Sequence, residues 1–188
     1  MVSCEIHGFS DSSQIGYGEV VYLRISTASD IRVFFICAKS RVFPTKRVSL
    51  PRLELCAAVL LADIIKYVKE LYFHLLNITN TFAWSDSTVA LSWIRAPSSQ
   101  WKTFVANRVS HIQDAAPNTE WRHVPTSENP ADTASRGQFP ADLVHSTLWW
   151  AGPQWLAQSS AAWPQLDLTS THDNTDDRGK STFFYCPR

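Results

Sequence analysis

Four acids, Asp11, Glu54, Asp86 and Asp132, each stand at the border of an apolar stretch. Asp86 closes the run 82–84, after which Val89, Ala90, Trp93 and Ile94 recur at helical spacing. Asp11 lies just past the run 4–9, Glu54 one turn into a long periodic stretch, and Asp132 near the start of a short helix that ends at Gly137. Each alone has a plain structural use. Ser85 or Asp86 suits a helix cap, and an acid at Glu54 is favoured by the helix dipole. Four converging carboxylates, by contrast, repel one another unless divalent cations neutralise them. Oxygen ligands with few histidines point to two Mg2+ or Mn2+ ions. Two such ions roughly 3.5 to 4 Å apart serve in-line displacement at phosphorus.

The elements that must position these acids follow from periodicity. Residues 4–9, 19–25 and 31–38 read as three consecutive strands of an antiparallel meander, with Gly16 and Gly18 permitting the first reversal and 31–38 apolar enough to be buried. Residues 50–76 carry the clearest helical spacing, with Pro51 in the first turn. A fourth strand at 82–84, a helix, a proline-bounded turn at 96–100, a helix at 101–115, a strand at 120–124 and the short helix around Asp132 complete the order. The fold class is α/β: a five-stranded mixed sheet, three antiparallel strands then two parallel, flanked by helices. If the first and fourth strands are neighbours, Asp11 and Asp86 emerge at one edge and the helical acids close over them. The expected division is a catalytic-size domain at 1–138, a Trp-rich helical appendage at 139–164 packing its tryptophans on that domain, and a disordered tail at 165–188.

The 188 residues carry a formal net charge of +0, so no global field draws the protein to nucleic acid or membrane, and any such partner must be held by a local patch. Lys39, Arg41, Lys46, Arg47 and Arg52 supply one, read either as a solvated loop or as a phosphate-contacting edge. Lys102 and Arg108 give the 101–115 helix a basic outer face. The four cysteines show no paired spacing, which suits free thiols in a reducing compartment. No run is long enough to span a bilayer and residues 1–9 lack a leader pattern. The expected location is intracellular, in cytoplasm or nucleus.

HGFSDSSQIGYG around Asp11, AKSRVFPTKRVSLPRLELCAA around Glu54, WSDSTVALSWI around Asp86 and WRHVPTSENPADTASRG around Asp132 together resemble the ribonuclease H region of Bel/Pao retrotransposon polyproteins, a family catalogued as Pao retrotransposon peptidase. The similarity runs on through LWWAGPQWL, covering about residues 4–164. It implies a ribonuclease H-like fold and a piece of a longer polyprotein that follows a reverse transcriptase domain and cuts the RNA strand of RNA/DNA hybrids. Asp11, Glu54, Asp86 and Asp132 fall on the acidic positions that bind two Mg2+ or Mn2+ ions. For the hybrid, Lys39, Arg41, Lys46, Arg47 and Lys102 are expected to hold backbone phosphates, while Ser12 and Asn129 read the sugar, where the 2′-hydroxyl distinguishes RNA from DNA. Cellular ribonucleases H carry a loop histidine before the last acid. Residues 124–132 contain none, and His123 reads as structural.

Three other readings compete. A catalytically inactive retroelement remnant would bind nucleic acid or a partner without cutting. An aspartic peptidase, despite the family name, needs Asp-Thr-Gly or Asp-Ser-Gly, whereas Asp11 is followed by Ser-Ser and Asp86 by Ser-Thr. A retroviral-type integrase orders its acids as two aspartates then a glutamate, but here Glu54 precedes Asp86.

Overall fold

The computed structural model describes residues 2–43, 48–72 and 74–165. The 165–188 segment, apart from Gln165, and the basic residues Lys46 and Arg47 lie outside the described residues. Five strands, β1 (Ser3–Ser12), β2 (Gly16–Ser26), β3 (Ile31–Val42), β4 (Asn80–Ser85) and β5 (Glu120–His123), form one sheet in the order β3-β2-β1-β4-β5. β1, β2 and β3 pair antiparallel, and β4 and β5 continue the sheet parallel to β1. This is the five-stranded mixed sheet, three antiparallel strands then two parallel, that the sequence implied.

Strand alternation gives the sheet two buried faces. Ile6, Val21, Leu23 and Ala83 face one way and pack on α1 (Leu50–Tyr72), α2 (Thr88–Arg95) and α3 (Thr103–Ala115), where Leu55, Leu61, Leu91, Val105 and Val109 close the first core. Phe9, Val20, Tyr22, Phe82 and Trp84 face the other way. They are covered by α4 (Ala131–Arg136) and by the tryptophan-rich segment, which forms two short helices, α5 (Pro140–Leu143) and α6 (Thr147–Ala151), and ends in 3-10 turns. Trp149, Trp155 and Trp163 are buried there against Phe35, Trp84 and Phe82.

Two sequence expectations change. β3 is an edge strand rather than a buried one: it runs on through Lys39 and Arg41 to Val42, and every one of its residues is half-buried or exposed. Gly16 and Gly18 do not supply a left-handed turn, because positive φ among the described glycines occurs only at Gly137 and Gly152. They are needed for close approach instead. A Cβ on Gly16 would lie 2.6 Å from the Arg41 carbonyl oxygen, and one on Gly18 2.6 Å from the Ala134 Cβ. The reversal itself is tied by Ser13, whose Oγ accepts from the Ile15 and Gly16 amides.

Candidate carboxylate metal centre

The sheet register sets the site. Ser10 and Ser85 form the last pair between β1 and β4, so the residues that follow them, Asp11, still paired to Gly18 of β2, and Asp86, just past the end of β4, come side by side at this edge. α1 crosses the same edge and presents Glu54, which is buried. One carboxylate oxygen from each of Asp11, Glu54 and Asp86 lies within 4.8 Å of the others. Asp86 is not spent on capping: Ser87 is the N-cap of α2, and its side chain accepts from the Ala90 amide. The cap expected at Ser85 or Asp86 thus falls one or two residues later.

Asp132, the fourth expected acid, sits in the first turn of α4 and is not part of this cluster. Its side chain is 35% exposed and its Oδ1 accepts from Arg136 Nε at 2.5 Å. Its charge still reaches the cluster. Burial pushes Asp11 up to about 7, opposed by a hydrogen bond from Ser135 and reinforced by repulsion from Asp86 and Asp132. Burial lifts Glu54 to about 8, with Ser12 pulling the other way and Asp11 and Asp86 adding repulsion. The Ser12 hydroxyl is itself buried, near enough to moderate Glu54 but not in bonding geometry.

Two oxygens of the cluster, Asp86 Oδ1 and Glu54 Oε2, are buried without a hydrogen-bond partner. Orphaned buried carboxylate oxygens are costly, and an all-oxygen donor set of this kind suits a hard divalent cation such as Mg2+ or Mn2+. The three clustered acids therefore fit a divalent cation of the kind that the sequence reading called for.

Oδ2 of each of the two aspartates is held. Thr126 Oγ1 donates to Asp86 Oδ2 at 2.7 Å, and Ser135 Oγ donates to Asp11 Oδ2. Neither hydroxyl was singled out in the sequence. His123, at the end of β5, is half-buried, and burial lowers its pKa against the pull of Asp86.

Asn129, expected to read the sugar, is buried. It is 1% exposed, its Nδ2 donates to the Ser10 carbonyl and its Oδ1 accepts from the Ala131 amide. Both ends help to fasten the start of α4 to β1. Lys39 and Arg41 are exposed on β3, and Lys102 is half-buried at the N-cap of α3. Arg41 shares a hollow of about 170 Å³ with Tyr17, Cys56, Asp63 and Arg108. Arg108 lies over the Phe104 ring at 3.5 Å and Arg52 over the same ring at 5.1 Å, so the basic surface continues from β3 onto α1 and α3.

Residues 1–87 match the family described as the Pao retrotransposon-like RNaseH-like domain. Asp11, Glu54 and Asp86 all fall inside this Pao-like region, whereas Asp132, Thr126 and Ser135 lie beyond it. No curated protein matches the chain. Among solved structures it is similar to ribonuclease H1 from the halophilic archaeon Halobacterium salinarum, at 13% identity over 69% of this chain and 93% of that one, with a TM-score of 0.41. It is also similar to LC9-RNase H1, at 11% identity over 91% and 97% of the two chains with a TM-score of 0.47. A third is LC11-RNase H1, solved in complex with an RNA/DNA hybrid, at 13% identity over 75% and 99% with a TM-score of 0.40.

Proposed function

We propose that this chain is a metal-dependent endoribonuclease that cleaves the RNA strand of RNA/DNA hybrids as the ribonuclease H part of a retroelement polyprotein. The observation that carries the reading is the meeting of Asp11, Glu54 and Asp86, far apart in sequence, within 4.8 Å at one sheet edge. The match of residues 1–87 to a Pao retrotransposon-like RNaseH-like domain supports it.

Asp11, Glu54 and Asp86 would hold one divalent cation, Mg2+ or Mn2+, and Asp132 would join them for a second by exchanging its contact with Arg136. When bound, such ions supply an activated water and stabilise the leaving oxygen of the broken phosphodiester. The chain's own residues do the rest. The strands fix Asp11 and Asp86, α1 brings Glu54 over them, and Lys39, Arg41, Arg52 and Arg108 offer cations to backbone phosphates. A reverse transcriptase domain is the proposed partner, and an intracellular compartment the proposed location. No described helix is long and apolar enough to cross a membrane.

Cleavage of a labelled hybrid with Mg2+ tests the reading, compared with Asp86→Asn and with chelator. The wild type is expected to cut, and Asp86→Asn to be at least about 100-fold slower, about 2.7 kcal/mol of barrier. A wild type that binds hybrid yet never cuts would establish the inactive remnant instead.

A further inference from the structure

We propose that Thr126 and Ser135 are positioning residues of the carboxylate cluster: each hydroxyl ties down one oxygen of an aspartate and so aims the other at the cation. This rests on the metal-site reading above and extends it to residues outside the acids.

A carboxylate can only accept, so both hydroxyls donate. Thr126 reaches Asp86 Oδ2 from the 3-10 turn Thr126–Glu128. That turn follows β5 directly, and the Val124 amide just before it donates to the Ser85 carbonyl at 3.1 Å. The donor is therefore anchored to the strand that carries its acceptor. With Oδ2 occupied, the free oxygen of Asp86 is Oδ1, the one that is buried without a partner. Ser135 is itself 3% exposed and donates to Asp11 Oδ2 from α4. Its carbonyl accepts from Ser13 Oγ at 2.7 Å, which pins this turn of α4 to the β1–β2 reversal. The two aspartates are thus each gripped from an element other than their own strand.

Hydrogen bonds to ionised groups are worth about 1.5 to 3 kcal/mol, and partners that orient metal ligands typically change metal affinity about 10- to 100-fold when removed. A merely structural hydroxyl would change melting temperature and leave metal affinity alone. The test uses the full chain with Thr126→Val, Thr126→Ser, Ser135→Ala and Ser135→Thr. Mn2+ binding is measured by calorimetry, the metal-free melting temperature by circular dichroism, and hybrid cleavage across a Mg2+ series. Thr126→Val and Ser135→Ala are expected to weaken Mn2+ binding about tenfold or more and to raise the Mg2+ needed for half-maximal cleavage by a similar factor, with Thr126→Ser restoring both. Unchanged Mn2+ affinity in Thr126→Val and Ser135→Ala overturns the proposal, as does tighter binding. Loss of fold in the exposed Thr126→Val variant would overturn it for that residue by making the hydroxyl structural. A wild type that neither binds Mn2+ nor cuts sinks the nuclease reading itself, which is a different result.

Discussion

Glu54 shows what a metal centre costs a protein while it holds no metal. Its carboxyl is buried beside Asp11 and Asp86, and burial with that repulsion raises it to about 8. Such a group favours the folded state only while protonated, so its contribution fades as pH climbs through 8. Glu54→Gln removes the charge but keeps the shape. In chelator at pH 8.5 the variant is expected to melt above the wild type by a few degrees, and the gap is expected to narrow at pH 5.5 and to close below the unfolded value of 4.5. The same variant should lose Mn2+ binding. Equal melting curves at both pH values would show that Glu54 is hydrated and relaxed in solution. Mn2+ affinity of the wild type should correspondingly rise from pH 6 to 8.5, since protons on Asp11, near 7, and on Glu54 must leave before a cation enters.

Elements were easier to read than their edges, for reasons that particular residues make plain. The acids at 11 and 86 were legible because an apolar run that stops at a carboxylate is a local pattern, and β1 and β4 do end side by side there. Thr126 and Ser135 were not, because serines and threonines are common and only the fold brings them to Asp86 and Asp11. IRVFFICA reads as buried because it is apolar, yet among the described residues one flank of β3 has no strand beside it. Gly18 serves packing rather than the turn, since α4 lies so near β2 that a methyl group would meet Ala134. Gly18→Ala is therefore expected to push α4 outward, costing about 1 to 3 kcal/mol of stability and displacing Ser135 from Asp11. Denaturant unfolding and the Mg2+ requirement should worsen together, and adding Ala134→Gly should recover part of both. A Gly18→Ala protein as stable as the wild type would mean that α4 rides looser on the sheet than 2.6 Å allows.

At the scale of the whole molecule, two buried glutamates set opposite ends of the pH range. Burial alone would raise Glu5, but bonds from His7 and from Arg24, whose Nη1 donates at 2.6 Å, hold it down to about 2. Arg24 also donates to the Leu156 and Gln158 carbonyls, so this ion pair fastens the tryptophan-rich segment to the sheet. The stability it contributes is present above the ordinary glutamate range and is lost as pH falls toward 2. Glu19 does the reverse. It sits on β2 between Ser10 and Lys39, is 0% exposed, and neither oxygen is in hydrogen-bond geometry. Burial lifts it to about 8 against the pull of Lys39. Its contribution is complete below the unfolded value of 4.5 and is lost as pH rises through 8. One extra proton bound in the folded state makes the wild type lose about 1.4 kcal/mol per pH unit relative to Glu19→Gln between pH 5 and 8. Urea unfolding of the two proteins across that range measures the difference, with Mg2+ present so that Asp11 and Glu54 contribute equally to both. Parallel stability curves would mean that Glu19 is already ionised at neutral pH, paired with the Lys39 ammonium across the sheet edge.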